Sequence, residues 1–526
     1  MRANRHPNIL FVMTDQQRFD TIAALGNSRI YTPNLDRLVA RGVSFTRAYS
    51  TCPVCVAARY TIRTGCEPAT TRVFSNAVCE PAPGQAASIE DRCGAYLPKT
   101  MALLGYRTWG IGKFHAQPDS EDLGYHDYQQ IRETYRDSET RHDDAYARWI
   151  MQDHPEYAHL ELLHGERTEM YYMPQCAAVP ADCTAEAFAA ERAVDQIQRG
   201  QEDHGPWFGF VSFVGPHPPL APPIPFNRMY DPDEMPAPRC GDASIDHLDD
   251  FLPMMNYMTY AESVDPTRAK ILKARYYGEI SHIDDCLGRI LDAVDAQADP
   301  SNTLICFFSD HGDHMGDHRS WQKESFFDAA CRVPMLISWP HRLPAGRRSD
   351  ALVTLTDLFG LATSAANERE LREGIDLLAV AEGRHPGRSA VIGCYGQPGT
   401  RQFKVMVRDD QWKYIFLANG GRELLFDMDE DSCELVPRNG DRPEIISRMR
   451  MMAVAALKSP GTADALDGLQ LKSLRFEKFP RRRLKQFDRS ADVMDFPANP
   501  GDIVPGPPKR QKPAASRASQ DAAPNV

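Results

Sequence analysis

Four short segments of this 526-residue chain set ionisable side chains directly after apolar runs. Asp15 follows the run 8–13. Lys113 and His115 follow 106–111 in a Gly-Lys-Phe-His segment. His217 follows 207–214 between two prolines. Asp310, His311 and Asp313 follow 303–308 in Ser-Asp-His-Gly-Asp. Any one of these is also what a solvated turn or a loop cap looks like. Four of them at the same place relative to an apolar run need another explanation. Asp15, Asp310 and His311 are hard or borderline ligands, suited to a divalent cation held by oxygens and one imidazole. Lys113 and His115 alternate, so an extended segment would turn both to one side. With Arg59 and Lys323 they would form a cationic pocket in an acidic protein. Such a pocket suits a sulfate or phosphate group and the charge that develops on it during transfer.

These residues meet only if the apolar runs are strands of one sheet. The runs 207–214 and 303–308 are continuous rather than alternating, as in strands covered on both faces. Helical patterns lie between them. One opens at Thr32-Pro33 and closes at Gly42, one runs from 98 to 104, one follows Thr184, and a long one spans 267–294. Strands alternating with helices predict an α/β fold, a large mostly parallel sheet sandwiched by helices. The carboxyl ends of parallel strands share one edge, where ligands bind. Residues 1–385 are expected to form this catalytic domain. After that the character changes: 403–408, 412–417 and 423–427 read as short antiparallel strands before a helix at 443–458. Residues 386–480 are therefore expected to be a smaller α+β subdomain. Residues 481–526 turn basic and then Pro/Ala-rich, which predicts disorder or an arm on a neighbouring subunit of a homo-oligomer.

Composition narrows the function. Sixty basic residues against 72 acidic ones give a net charge of −12. That argues against nucleic acid as a partner, since phosphate neutralisation needs clustered Lys and Arg. No apolar run reaches the ~18 residues of a membrane span. The first residues lack a signal-peptide layout, so the cytoplasm is the expected location. Thirteen cysteines are scattered, with Cys52 and Cys55 as the lone CxxC and no zinc-site spacing. Most would stay reduced and pack as small apolar groups.

One of those cysteines stands apart. The segment STCPVCVAARYTIRTG at 50–65 resembles the signature of the formylglycine-dependent sulfatases, within the alkaline phosphatase superfamily. Cys55, Ala57 and Arg59 hold the motif positions, followed by Thr64-Gly65. Five further segments agree in order: NILFVMTDQQRFDT, TPNLDRLVARG, GIGKFH, GPHPPL, and FFSDHGDHMGDHRSWQKESFF with RVP after it. The closing ELLFDMDEDSCEL is also similar, so the resemblance spans residues 7–440.

The resemblance implies an alkaline phosphatase-like fold. It also implies that a separate maturation enzyme oxidises Cys55 to formylglycine on the unfolded chain. A hydrated aldehyde has a spare hydroxyl. Once one oxygen carries the sulfuryl group, deprotonating the other expels sulfate and restores the aldehyde. By the same resemblance Asp15, Gln16, Asp310, His311 and residue 55 would hold one divalent metal ion. Arg59 would hold the hydrated formylglycine, and Lys113 and Lys323 would clamp sulfate oxygens. His115 would act as base, and His217 with Lys323 would assist the leaving alcohol. Many sulfatases have Asp where Gln16 stands and Asn where His311 stands. Calcium is the first expectation for the metal, and these two departures bring in manganese and magnesium. Arg63 replaces an apolar residue, and Ala57 replaces the usual Pro.

The expected substrate is a small sulfate ester, of a sugar before choline-type or aryl sulfates. Tyr60 within the signature and Arg72 and Asn76 just past it could face the pocket mouth, and Arg72 and Asn76 are the candidate substrate contacts. The 116–180 region, with Asp143, Asp144, Tyr146, Tyr171 and Tyr172, is a candidate lid or sugar wall. Two other readings compete. A phosphonate monoester hydrolase or phosphodiesterase shares the fold and an Asp-His pair, but Lys113-x-His115 is associated with sulfatases. A non-catalytic anion-binding protein would keep Cys55 as a thiol. His282, Asp284 and Asp285 resemble a metal cluster, but their place on an amphipathic helix makes them structural or solvated helix positions.

Overall fold

Eight strands form the large sheet of the computed structural model, which describes residues 6–77, 88–132, 143–157, 171–202, 205–242 and 249–481. They are β1 (Asn8–Thr14), β2 (Val43–Tyr49), β3 (Arg107–Gly112), β4 (Asp127–Gln130), β5 (Trp207–Ser212), β6 (Thr303–Ser309), β7 (Arg332–Ser338) and β8 (Arg347–Thr354). Their order is β4-β3-β5-β1-β6-β7-β2-β8. Every neighbouring pair is parallel except those of β7, which runs antiparallel to both β6 and β2. The expected α/β fold with a mostly parallel sheet is what the chain adopts.

The central strand shows why these runs become strands. Ile9, Phe11 and Met13 enter one core cluster, while Leu10 and Val12 enter another on the opposite face. On the first face Phe11 meets Phe208, Phe210 and Phe308 edge-on, with centroids 5.5–5.9 Å apart. Helices Cys55–Thr64 and Asp357–Ala365 cover that face. Helices Ala185–Glu202 and Pro266–Asp295 cover the other. The polar residues of the long helix tie the layer together. Asp284 accepts from the Asn34 and Leu35 backbone N–H groups at 3.0 and 2.7 Å, which satisfies the open start of helix Pro33–Arg41. His282 Nε2 pairs with Thr184 Oγ1 at 2.8 Å, and burial pulls the imidazole down to about 4.

A second sheet, β9 (Val391–Tyr395), β10 (Lys404–Arg408), β11 (Trp412–Leu417) and β12 (Arg422–Asp427), is antiparallel in the order β12-β11-β10-β9. Helix Pro443–Ala456 packs Ile446, Met449 and Ala453 against Val405, Val407 and Tyr414. This sheet belongs to the same compact unit, Met1–Leu484, as the large one. The tail from 482 onward lies outside the described residues, as do 133–142 and 158–170 of the candidate lid. No described helix is long and apolar enough to cross a membrane.

The sequence of β7 carries no sign of its direction, and the reversal has a large consequence. An antiparallel strand starts at the edge where its parallel neighbours end. The segment from Asp310 to Cys331 therefore stays on that edge throughout, and Lys323 with it.

The β3–β5 pair has no slack at that edge. Gly112 has φ +113°, and a Cβ there would strike the Ser212 carbonyl oxygen. Gly112→Ala is expected to lower stability by about 2–4 kcal/mol through strain and collision, read as the shift of the urea unfolding midpoint. An unchanged midpoint would show that the strand pair relaxes freely.

Candidate functional site

The sheet edge gathers residues from five strand ends. Asp15 and Gln16 follow β1, Cys55 opens the helix after β2, Lys113 follows β3, His217 follows β5, and Asp310 and His311 follow β6. Cys55 is the first residue of its helix, so its side chain sits at the positive end of the helix dipole. Four residues on, Arg59 lies on the same helix face. Asn76 Oδ1 accepts the Val56 N–H at 3.1 Å and holds this helix start in place.

Arg59 is the bridge between the two aspartates. Its Nη2 lies 2.9 Å from Asp15 Oδ2 and its Nε 3.0 Å from Asp310 Oδ2. Nη1 donates to the Lys113 carbonyl and to Ser212 Oγ, the latter at 3.0 Å. Lys113 Nζ lies 2.6 Å from Asp15 Oδ2. Cys55 Sγ is 3.6 Å from Asp15 Oδ1, 3.2 Å from His311 Nε2 and 3.3 Å from Lys323 Nζ. Lys323 also donates to Gln16 Oε1 at 2.7 Å. Gln16 Nε2 in turn donates to Asp313 Oδ2 at 2.5 Å, where the Tyr172 hydroxyl donates too, at 2.7 Å. All of these side chains are buried.

The electrostatics follow from this crowding. Burial works against the Asp15 charge, but Lys113, His217, Arg59 and Lys323 outweigh it and hold the carboxyl well below its usual range. Asp310 goes the other way, pushed up by burial and by the Asp15 charge. Burial and Asp15 raise the Cys55 thiol. Lys323, Lys113 and His311 reverse that, leaving it well below an ordinary thiol. Cys52, its CxxC partner, is raised by burial, so the two cysteines are chemically unlike. His311 is lowered by burial but raised more by Asp310 and Cys55, to about 9.

Asp15, Cys55, Asp310 and His311 present ligand atoms all within 4.8 Å of one another. His311 Nδ1 donates to the Gly312 carbonyl at 3.0 Å, which turns Nε2 towards the other three. The position beside Nε2 attracts a proton, or a metal cation in its place. These four residues fit a divalent metal. The distances choose no particular metal.

The other expected residues divide. His217 is buried, its Nδ1 donates to the Pro218 carbonyl at 2.7 Å, and its ring meets Tyr171 edge-on at 5.8 Å. His115 is half-buried with φ +52°, two residues beyond Lys113. Asn76 engages the Cys55 helix as described. Arg72 is the left-handed cap of the short helix Pro68–Thr71. Tyr60 is buried, with its hydroxyl on Glu121 Oε2 at 2.5 Å. In the candidate lid, Asp144 caps helix Ala145–Asp153, accepting the Ala147 N–H at 2.8 Å. Sequence reasoning gave no role to Ser212, Asp313 or Glu324. Glu324 is buried beside Lys323, and burial pushes its carboxyl up to about 7. Asp313 stood in plain view in the Asp-His-Gly-Asp run. Nothing in the spacing said that it would grip Gln16.

The mixed sheet and the metal-capable edge define a hydrolase of the alkaline phosphatase type. A Sulfatase family model matches residues 7–367. The chain belongs to the sulfatase family. It is 27% identical to an arylsulfatase of Clostridium perfringens over 448 residues, covering 82% of this chain and 89% of that one. It is 28% identical to a choline-sulfatase of Rhizobium meliloti over 453 residues, covering 82% and 81%. Among solved structures, a phosphonate monoester hydrolase of Agrobacterium radiobacter superposes with a TM-score of 0.72 at 26% identity, covering 88% of this chain and 97% of that one.

Removing Arg59 would leave two buried carboxylates without their bridge. Arg59→Met is expected to cost about 3–5 kcal/mol of stability. The expected readout is an unfolding midpoint lowered accordingly in metal-free buffer. Partial recovery on adding a divalent cation would show the ion taking over the charge balance.

Proposed function

We propose that this chain hydrolyses the sulfate ester of a small organic alcohol, a sugar sulfate before choline or aryl sulfates. The observation that carries the reading is Cys55 at a helix start, between Lys323 and His311, with Lys113 on the far side of Asp15. Such a pocket binds a tetrahedral oxyanion against residue 55 and offsets charge developing on it.

In the mature enzyme, Cys55 Sγ marks the place of a formylglycine oxygen. That group would supply a hydrated aldehyde, with one hydroxyl as nucleophile towards sulfur and a second whose deprotonation would let sulfate leave. Asp15, Asp310, His311 and residue 55, with Gln16 as a further oxygen donor, would hold a divalent ion, which would supply Lewis acidity. The chain's other residues orient and move protons. Lys113 and Lys323 hold sulfate oxygens in line with residue 55. Arg59 fixes the two aspartates. His115 removes the proton that drives sulfate release. His217 gives a proton to the departing alcohol oxygen; its Nδ1 is committed to Pro218, so Nε2 is the atom that can do this. Cys55 is 1% exposed. A maturation enzyme would therefore have to reach it before the fold closes. Location in the cytoplasm and small imported esters as substrates complete the reading.

Phosphonate monoester hydrolysis is the second reading. It is favoured by the superposition on the Agrobacterium radiobacter enzyme and by the Asp310-His311 pair. Lys113 and His115 decide between the two. If the sulfate reading holds, Lys113→Ala and His115→Ala each lower kcat/KM for p-nitrophenyl sulfate by about 10²–10⁴. Faster turnover of phenyl phosphonate esters than of sulfates by the unaltered enzyme would overturn it.

The first test is the mass of the tryptic peptide 48–59, from protein made in a host that has the maturation enzyme. Formylglycine makes it roughly 18 Da lighter than the thiol form, by net loss of hydrogen sulfide and gain of oxygen. A thiol-only peptide, in a host that converts a control sulfatase, would remove the covalent mechanism and bring forward a protein that binds anions without turnover.

A further inference from the structure

Beside the chain that follows Gln16 lies a cavity of about 370 Å³. None of the residues given catalytic or metal roles above lines it. It is bounded by the chain just after Gln16, by β2 and the start of β7, and by one face of the helix Pro266–Asp295. Its volume falls in the range of sites for small organic ligands.

The lining is charged in one sense. Arg18, Arg29, Arg239, Lys273, Arg332 and Arg348 border it. Only Asp20 and Asp317 oppose them, and Arg18 engages both, at 2.8 and 2.9 Å. Arg332 is paired outside the lining with Asp328, at 3.2 Å. Among the described residues the Arg239 guanidinium makes only a long ion pair, 3.8 Å to Asp20, while its backbone N–H donates to Asp317 Oδ1 at 2.8 Å.

Lys273 is the telling residue. It is 7% exposed, and Pro236 O accepts from its Nζ at 3.1 Å. An ammonium has three donors. No carboxylate lies within ion-pair distance of it among the described residues. Burial accordingly pulls it below its usual value, with Arg18 and Arg239 adding to the effect against Asp317 and Asp20. A buried cation is costly unless something anionic meets it. The remaining walls suit an organic body, with Phe19, Tyr276 and Tyr277 offering ring surface.

We infer that this cavity is a second, non-catalytic binding site for a small organic oxyanion, a molecule bearing a sulfate or phosphate group on a ring or sugar body. The oxyanion meets Lys273 and Arg239, and the body lies against the tyrosines.

The test is calorimetric titration of the full chain carrying C55A, which prevents turnover, with phenyl sulfate and separately with phenyl phosphate. Two sites per chain are expected for at least one probe, and the two titrations show which oxyanion the cavity takes. Adding K273M should weaken one of the sites by at least about tenfold. Adding K113A instead should weaken the other. K273M in the otherwise unaltered enzyme should keep its turnover within about twofold and its melting temperature equal or higher, since a buried charge has been removed. R239A is the second variant, expected to weaken the same site as K273M. A single site per chain with both probes, or two sites that neither K273M nor R239A alters, would overturn the inference. So would a K273M that loses turnover along with both sites, because Lys273 would then belong to the catalytic pocket.

Discussion

A buried guanidinium shared by two carboxylates is the interaction on which the site rests. Asp15 and Asp310 end neighbouring strands, so the fold brings two negative charges together without regard to their repulsion. Taking each from water costs several kcal/mol. Arg59 answers both at once, because its planar guanidinium carries several fixed donors and gives Nε to one carboxylate and Nη2 to the other. The i, i+4 spacing to Cys55 then does a second service. The residue that fixes the aspartates also fixes the helix start that carries the nucleophile position.

The reversed β7 supplies the other half. A further parallel strand would have required a crossover away from the edge. The antiparallel turn instead keeps the segment after Asp310 on the edge, and it stays there in a strained conformation. Met315, His318, Arg319, Gln322 and Glu324 all have positive φ without being glycine. Such residues persist only where their surroundings over-determine them. Arg18 donates to the Asp313 and His314 carbonyls, both at 3.0 Å, and His314 Nε2 meets Ser325 Oγ at 2.7 Å. The strain is concentrated around Lys323, whose ammonium it delivers to Cys55.

Much of this was legible because strand ends punctuate sequence. Asp15, Lys113, His217 and Asp310 each followed an apolar run, and a parallel sheet puts such positions on one edge. The helix starts near Pro33 and Ala185 were legible from caps and proline, and the long helix from its apolar pattern over 267–294. Strand β2 was not: its residues alternate weakly, and burial comes from β7 and β8 on either side, which are distant in sequence. Strand direction has no local signature, so the reversal of β7 could not be read either. Side-chain partnerships were the least accessible. Asn76 looked like a loop residue near a pocket mouth, and only three dimensions show it holding Val56. Tyr172 looked like a stacking surface, and its hydroxyl turns inward to Asp313.

Gln16 shows how one neutral side chain sets the charge of the pocket. A carboxylate at this position would pair with Lys323 and spend its charge. The carboxamide oxygen accepts from Lys323 at 2.7 Å and leaves the ammonium positive. A carboxamide has two orientations, and only one is compatible with its neighbours. Lys323 has donors alone, so it must face the oxygen. Asp313 accepts from the Gln16 Nε2 donor, and the Tyr172 hydroxyl lies 3.4 Å from the same nitrogen. The reverse orientation would put NH₂ against ammonium and oxygen against carboxylate. Asp313 and Tyr172 therefore act at one remove. By locking the amide they keep a lone pair of Oε1 on the cation side of the site and a full positive charge beside residue 55. Asp15 and Asp310 pair directly with Arg59 and Lys113, whereas Asp313 stands behind Gln16 and orients the partner of Lys323 without pairing with its charge.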